Sequence, residues 1–268
     1  MSSISIFPCL FTPAGAIISD LSVKLNLTVY SDKDLIEEAA ERFGVKTEKL
    51  WANMQRKTSV FNQFTLEREK MVNLMQAVLA DRLDDGNQYL FHGFLASLIP
   101  GSVTHVLKVL VVDTKQARID YAMEKDGLTQ KEAKKAVKNA DYTAYCWTDF
   151  LFNKEAYDSK LYDMVLPVEN KGCEELVESV IRCFRTTSVL QNDASHKAVA
   201  DLHLQIAVED LLLSMGHKVA VTTSDGVVTI AVEKNVLNYN RLVNELTGLV
   251  TPVSGVKDVV VERGSSYR

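Results

Sequence analysis

Val106-Leu107-Lys108-Val109-Leu110-Val111-Val112 is apolar at six of its seven positions. A strand that is apolar on both sides is buried on both sides, as in a parallel sheet covered by helices. Thr114 opens a helix that runs to about Asp126 and stops at Gly127, the preferred residue just past a helix end. Upstream, Gln88-Tyr89-Leu90-Phe91 reads as a second buried strand. Ser3-Ile4-Ser5-Ile6-Phe7 alternates as a third, and Leu27-Thr28-Val29-Tyr30 is extended. Helices fall between them. Ile17, Ile18, Leu21 and Leu25 share one face. Ser31-Asp32-Lys33-Asp34 has the form of a capping box for a helix that buries Leu35, Ile36, Ala39, Ala40 and Phe43 and ends at Gly44. A long helix is expected from about Leu66 to Leu83, closed by Asp84-Asp85-Gly86-Asn87. Downstream, Thr129-x-x-Glu132 starts a helix carrying Lys131, Lys134, Lys135 and Lys138. Leu161 to Leu166 returns to strand, and Cys173 to Phe184 is a closing helix. This alternation predicts an α/β fold with a parallel sheet and helices on both faces.

The grammar changes after residue 185. Thr186-Thr187-Ser188 and Gln191-Asn192-Asp193 make residues 186–195 the expected linker. A helix from about His196 to Met215 follows, ending at Gly216. Lys218 to Thr223 and Val227 to Glu233 are strands joined through Ser224-Asp225-Gly226, a strong hairpin signal. A helix from about Leu237 to Leu249 and a strand from Val256 to Glu262 complete an αββαβ, α+β module. Two domains are therefore expected, 1–185 and 196–268.

The 268 residues are 47% hydrophobic and 24% charged, with a net charge of −5. These values exclude a disordered chain and a collagen-like fibre. They also disfavour general nucleic-acid binding. No apolar run approaches the ~18 residues of a membrane-spanning helix. The opening residues lack the basic region and apolar core of a secretory leader. Cys9, Cys146, Cys173 and Cys183 form no C-x-x-C pair and no metal-ligand spacing. Reduced thiols, no metal site, no transmembrane segment and a cytoplasmic location are the expectations.

Specific residues go further. Ala117-Arg118-Ile119, then Glu124-Lys125-Asp126-Gly127-Leu128-Thr129-Gln130-Lys131-Glu132-Ala133-Lys134-Lys135, Asp141, and Leu161-Tyr162-Asp163-Met164-Val165 occur in a telling order. With Leu27 to Asp32 and Leu35 to Ala40, this order resembles the cytidylate-kinase-like family of P-loop nucleoside monophosphate kinases. The resemblance covers most of residues 3–184. It implies a first strand, a glycine-rich phosphate loop and a helix, with ATP as phosphoryl donor and Mg²⁺ as its ion.

Against that pattern the loop is altered. The family's Gly-Ser-Gly-Gly core falls on Phe11-Thr12-Pro13-Ala14, and no G-x-x-x-x-G-K-[ST] motif occurs. Pro13 has no N–H to donate, and Phe11 is bulky where phosphate must approach the backbone. Only Thr12 and Gly15 are left to touch phosphates. The arginines that neutralise a transferring phosphoryl group are also depleted. His92-Gly93-Phe94 stands where the family has Gly-Arg, Tyr121 replaces one helix arginine, and Ala144 replaces one in the lid. Arg118 remains. One lost contact of this kind removes several kcal/mol of transition-state stabilisation, so turnover is expected to be abolished.

Each surviving residue has two readings. Arg118 either faces phosphate or pairs with a surface carboxylate, Glu124 or Asp120. Asp32 either positions the acceptor or caps a helix, as Asp34 does. Lys134, Lys135 and Lys138 either close a basic lid or form a solvated helix face. A lysine is in any case a point charge without the arginine fork. His92 reads as a core-edge histidine, and Tyr162-Asp163 as packing and turn residues.

The C-terminal module has its own signature. Leu211-Leu212-Leu213-Ser214-Met215-Gly216, Asp225-Gly226-Val227-Val228-Thr229 and Gly255-Val256-Lys257-Asp258-Val259 resemble a BON domain. The resemblance implies a non-enzymatic module that binds a ligand or partner, with Asp225, Gly226, Gly255 and Val260 as ligand or interface residues. Val259-Val260-Val261 is apolar at both parities, which predicts an exposed valine and self-association into a homo-oligomer. The expected function is a non-catalytic, kinase-derived domain fused to a BON-like module, in a regulatory, sensing or scaffolding role. The alternatives are an active kinase moving phosphoryl from ATP to CMP or a related acceptor, and a nucleotide sensor without transfer.

Overall fold

The computed structural model describes residues 2–169, 171–186, 189, 192–233 and 235–264, so residues 187, 188, 190 and 191 of the expected linker lie outside it. In chain order come β1 (Ser3–Pro8), α1 (Ala14–Leu25), β2 (Thr28–Ser31), α2 (Asp32–Phe43), α3 (Thr47–Gln55), α4 (Asn62–Thr65) and α5 (Glu67–Asp84). Then follow β3 (Tyr89–His92), β4 (Val106–Val112), α6 (Lys115–Asp126), α7 (Gln130–Phe152), β5 (Met164–Pro167) and α8 (Cys173–Phe184). The remainder is α9 (Asp193–Ser214), β6 (Ala220–Ser224), β7 (Val227–Val232), α10 (Tyr239–Val250) and β8 (Asp258–Arg263). Among the described residues no helix is long and apolar enough to cross a membrane.

Two compact units emerge, one of residues 1–58 with 86–192 and one of residues 59–85 with 193–268. The first holds a five-stranded parallel sheet in the order β2-β3-β1-β4-β5. β1 and β4 lie in its interior and are buried on both sides because helices cover both faces; β4 is apolar on both, whereas β1 turns Ile4 and Ile6 to one face and the buried Ser3 and Ser5 to the other. On one face Ile4, Ile6, Leu107, Val109 and Val111 pack with Ile17 and Leu21 of α1 and Val177 and Val180 of α8. The capping box is realised: the Ser31 side chain accepts from Asp34 N–H while the Asp34 carboxylate accepts from Ser31 N–H at 2.7 Å. It fixes where β2 turns into α2.

The second unit has a three-stranded sheet, β6-β7-β8, with β6 and β7 antiparallel and β7 and β8 parallel. Val208 and Leu212 of α9, Leu246 and Val250 of α10, and Val228, Ile230 and Val232 of β7 make its core. α5 belongs here rather than with the kinase-like strands. Asn73 Nδ2 donates to the Ile206 carbonyl at 3.2 Å, and Glu69 pairs with Lys218. The apolar face of α5 was legible in the sequence, but the body that buries it was not.

Candidate functional site

In an open parallel sheet, ligands bind beyond the carboxyl ends of the strands, where the connections diverge. Here that place is the loop Cys9–Pro13 after β1, flanked by Gly93–Leu95 after β3. The loop is held by its own side chains. Thr12 is buried and its hydroxyl donates to the Cys9 carbonyl at 2.8 Å. Phe11 takes φ 63°, the left-handed region in which a bulky residue is strained. Pro13 caps α1 without a side-chain bond. Gly15 is exposed in the first turn of α1, and a Cβ there would meet nothing within 4 Å. No close approach requires the glycine.

Arg118 of α6 points into this loop, and its side chain is only 4% exposed. Its Nε donates to the Leu10 carbonyl at 2.8 Å and its Nη1 pairs with Asp141 of α7 at 2.7 Å. Neither Glu124 nor Asp120 is the partner. Glu124 pairs with Lys125, and Asp120 accepts from Gln116. Asp141 also accepts from the Tyr157 hydroxyl at 3.0 Å. Tyr157 also lies beside Cys9, and burial pushes both the thiol and the phenol up, so both stay protonated at neutral pH. Arg118, Asp141 and Tyr157, with Cys9 beside them, thus form one part-buried polar network around the loop. Only Arg118 Nη2 in it is buried without a protein partner.

On the other flank, the Phe94 position, where the resemblance leads us to expect the arginine of Gly-Arg, is filled by rings. Phe94 stacks on Phe7 at 5.6 Å between centroids and on Trp147 at 6.3 Å. The Trp147 indole N–H donates to the Phe94 carbonyl at 3.0 Å. Ala144 is buried on α7. Asp32 does not reach into open space. Its carboxylate accepts from Phe94 N–H at 2.9 Å and Leu95 N–H at 2.8 Å, capping a 3-10 turn over Phe94–Leu98. Burial raises its pKa to about 6, and the two N–H bonds oppose that shift. Gly93 permits this contact. It has φ 114°, and a Cβ there would lie 2.3 Å from Asp32 Oδ2. Lys134, Lys135 and Lys138 are all exposed on α7. Tyr162 and Asp163 act locally: the phenol donates to the Ala156 carbonyl, and the carboxylate accepts from Lys108 N–H.

The second unit brings three of the expected residues together. Asp225 and Gly226, both at positive φ, form the tight turn between β6 and β7. Asp201 of α9 accepts from their N–H groups at 3.0 and 3.3 Å. A Cβ on Gly226 would lie 2.9 Å from the Gly255 carbonyl, so the two glycine turns close on each other. They wall an open groove of about 370 Å³, floored by Ala200, Leu204 and Ala207 and edged by Lys197 and Lys257. Lys257 Nζ pairs with Asp225 at 3.2 Å. Val260 lies elsewhere, exposed on β8, while Val259 and Val261 turn toward the core. The groove was missed in the sequence because α9 supplies its floor, and nothing in a hairpin signal says which helix face lies beneath it.

An uncharacterized protein from Eubacterium ventriosum ATCC 27560 superposes with a TM-score of 0.54 at 15% identity, over 68% of this chain and 97% of that one. Shikimate kinase from Bacteroides thetaiotaomicron matches at a TM-score of 0.43 and 11% identity, over 69% of this chain and 99% of that one. Dephospho-CoA kinase from Campylobacter jejuni matches at 0.38 and 14%, over 67% and 95%. No curated protein sequence matches the chain. The model of the cytidylate kinase-like family matches residues 13–170, from the last residue of the loop to just beyond β5. With more than half of its length so matched, the chain belongs to the cytidylate kinase-like family.

Proposed function

We propose that this protein is a non-catalytic member of the family. Its kinase-like unit serves as a scaffold, and its second unit, BON-like, binds a small ligand or partner in a regulatory role with self-association. One observation carries the reading: Arg118, the arginine retained from the family's set, spends its guanidinium on the Leu10 carbonyl and Asp141. Phosphoryl transfer is mostly positioning and charge neutralisation. A loop with Pro13 at the helix start, a Thr12 hydroxyl bonded to Cys9 and an arginine turned inward does not fit a phosphate chain with its Mg²⁺. The aromatic stack at Phe94 adds apolar bulk where charge is needed. Ligand binding then falls to the groove at Asp225, Gly226 and Gly255, whose volume lies within the ~300–1,000 Å³ of small-molecule sites.

A second reading, nucleotide binding without transfer, is favoured by one atom. Arg118 Nη2 is a buried donor with no protein acceptor. A coupled ADP-release assay with ATP, Mg²⁺ and CMP, dCMP or UMP tests the main reading. No release above background is expected, and sustained release that depends on the monophosphate would make the protein an active kinase. Stabilisation by ATP in a thermal-shift measurement, without release, would select the sensor.

A further inference from the structure

α7 buries one face through Ala133, Val137, Ala144 and Trp147. Its opposite face is a continuous exposed stripe of Lys135, Lys138, Tyr142, Tyr145, Asp149 and Phe152. Successive members are three or four residues apart, the spacing that keeps side chains on one seam of a helix. Tyr142, Tyr145 and Phe152 are 53%, 37% and 40% exposed, a run of large rings that a solvated face does not need. The stripe is also polarised: cations at the amino end, tyrosines in the middle, Asp149 and Phe152 at the carboxyl end.

We propose that this stripe is the contact surface for a second copy of the chain, with the two α7 helices antiparallel. Centring the pair between Tyr142 and Tyr145 sets Tyr142 against the other copy's Tyr145. The same register sets Lys138 against Asp149 and Lys135 against the Phe152 ring. Two-fold symmetry makes each pair twice. The tyrosines then occupy the middle, the Lys138–Asp149 pairs flank them as charges flank the core of a stable contact, and Lys135 over Phe152 closes each end as a cation–π pair. A parallel pair would set Lys138 on Lys138 and Asp149 on Asp149. An acidic ligand on the lysines would leave the exposed rings uncovered, and would leave Asp149, which accepts from the Tyr145 hydroxyl at 3.3 Å, without a cation. The competing site, the edge of β8, fares worse. Antiparallel pairing centred on Val260 places Asp258 opposite Glu262, a like-charge contact. The inference rests on the self-association in the proposed function and is independent of the loss of phosphoryl transfer.

Sedimentation velocity on the full chain tests it, with the wild type, Lys138→Asp, Asp149→Lys and the double swap, each checked for native circular dichroism. The wild type should be a dimer. Each single reversal should weaken it about tenfold or more, and the double swap should restore it. A wild type monomeric at every concentration would overturn this contact and self-association together, leaving the phosphotransfer result untouched. A dimer that ignores both single reversals, or that the double swap fails to restore, would overturn the α7 contact alone. Loss of that dimer on Val260→Lys would move the interface to β8.

Discussion

Replacing Arg118 with alanine separates a structural strut from a catalytic residue held in reserve. The change removes the donor to the Leu10 carbonyl and the cation paired with Asp141. A buried acceptor left unsatisfied costs about 1–3 kcal/mol, but Leu10 is 46% exposed, so water can replace much of that bond. Breaking a buried ion pair from one side costs about 3–5 kcal/mol. Asp141 is 36% exposed and keeps the Tyr157 hydroxyl, so water takes over part of its solvation and the low end of that range applies. A loss of about 3 kcal/mol is expected. At roughly 2–4 °C per kcal/mol for a unit of this size, the kinase-like unit should melt about 6–12 °C lower. Arg118→Lys should fall between, since an ammonium can reach Asp141 but cannot hold Leu10 at the same time. Thermal unfolding followed by circular dichroism reads all three proteins. An Arg118→Ala protein as stable as the wild type, or more stable, would refute the reasoning. It would mean that the guanidinium is strained in readiness for a ligand, as active-site groups are.

Gly93→Ala should cost about 3 kcal/mol or more, because it combines a φ of 114° with a Cβ driven into the Asp32 carboxylate; chemical denaturation gives the value directly. Asp32 is pushed up to about 6 by burial from an ordinary 3.8, so the native state holds its proton longer than the unfolded chain does. Its contribution is therefore greatest below about pH 4 and is lost as pH rises through 6. Asp32→Asn should flatten the stability profile between those values, and an unchanged slope would remove Asp32 as its source. Because α5 belongs to the second unit, a cut within residues 186–192 should leave both pieces associated. Fragment 193–268 alone should lack cooperative unfolding, and its recovery as a stable folded domain after proteolysis would contradict that partition.

Legibility tracked locality. β4 was read at its observed bounds, and the capping boxes at Ser31 and Thr129 were found because both partners lie within four residues. The unusual backbone of the loop has a local signal too, since Phe11 stands at φ 63° and Pro13 at the start of α1. What could not be read was pairing across the fold. Sequence spacing offers Arg118 only neighbours such as Glu124 and Asp120, whereas packing of α6 on α7 brings Asp141 to it across 23 positions. Asp32 was weighed as a helix cap or an acceptor ligand. It is a cap, but not of its own helix: the parallel pairing of β2 with β3 carries it to the N–H groups of Phe94 and Leu95 at the start of the 3-10 turn. α3 and α4 went unread, being short helices without the caps that marked their neighbours.

The central claim is that the retained arginine and the altered loop no longer move phosphate. Single-turnover incubation tests it most directly, with protein in excess over γ-labelled ATP, Mg²⁺ present, and CMP, dCMP or UMP as acceptor. The wild type should yield no labelled diphosphate beyond that formed by Arg118→Ala. Labelled diphosphate formed by the wild type and lost in Arg118→Ala would contradict the account.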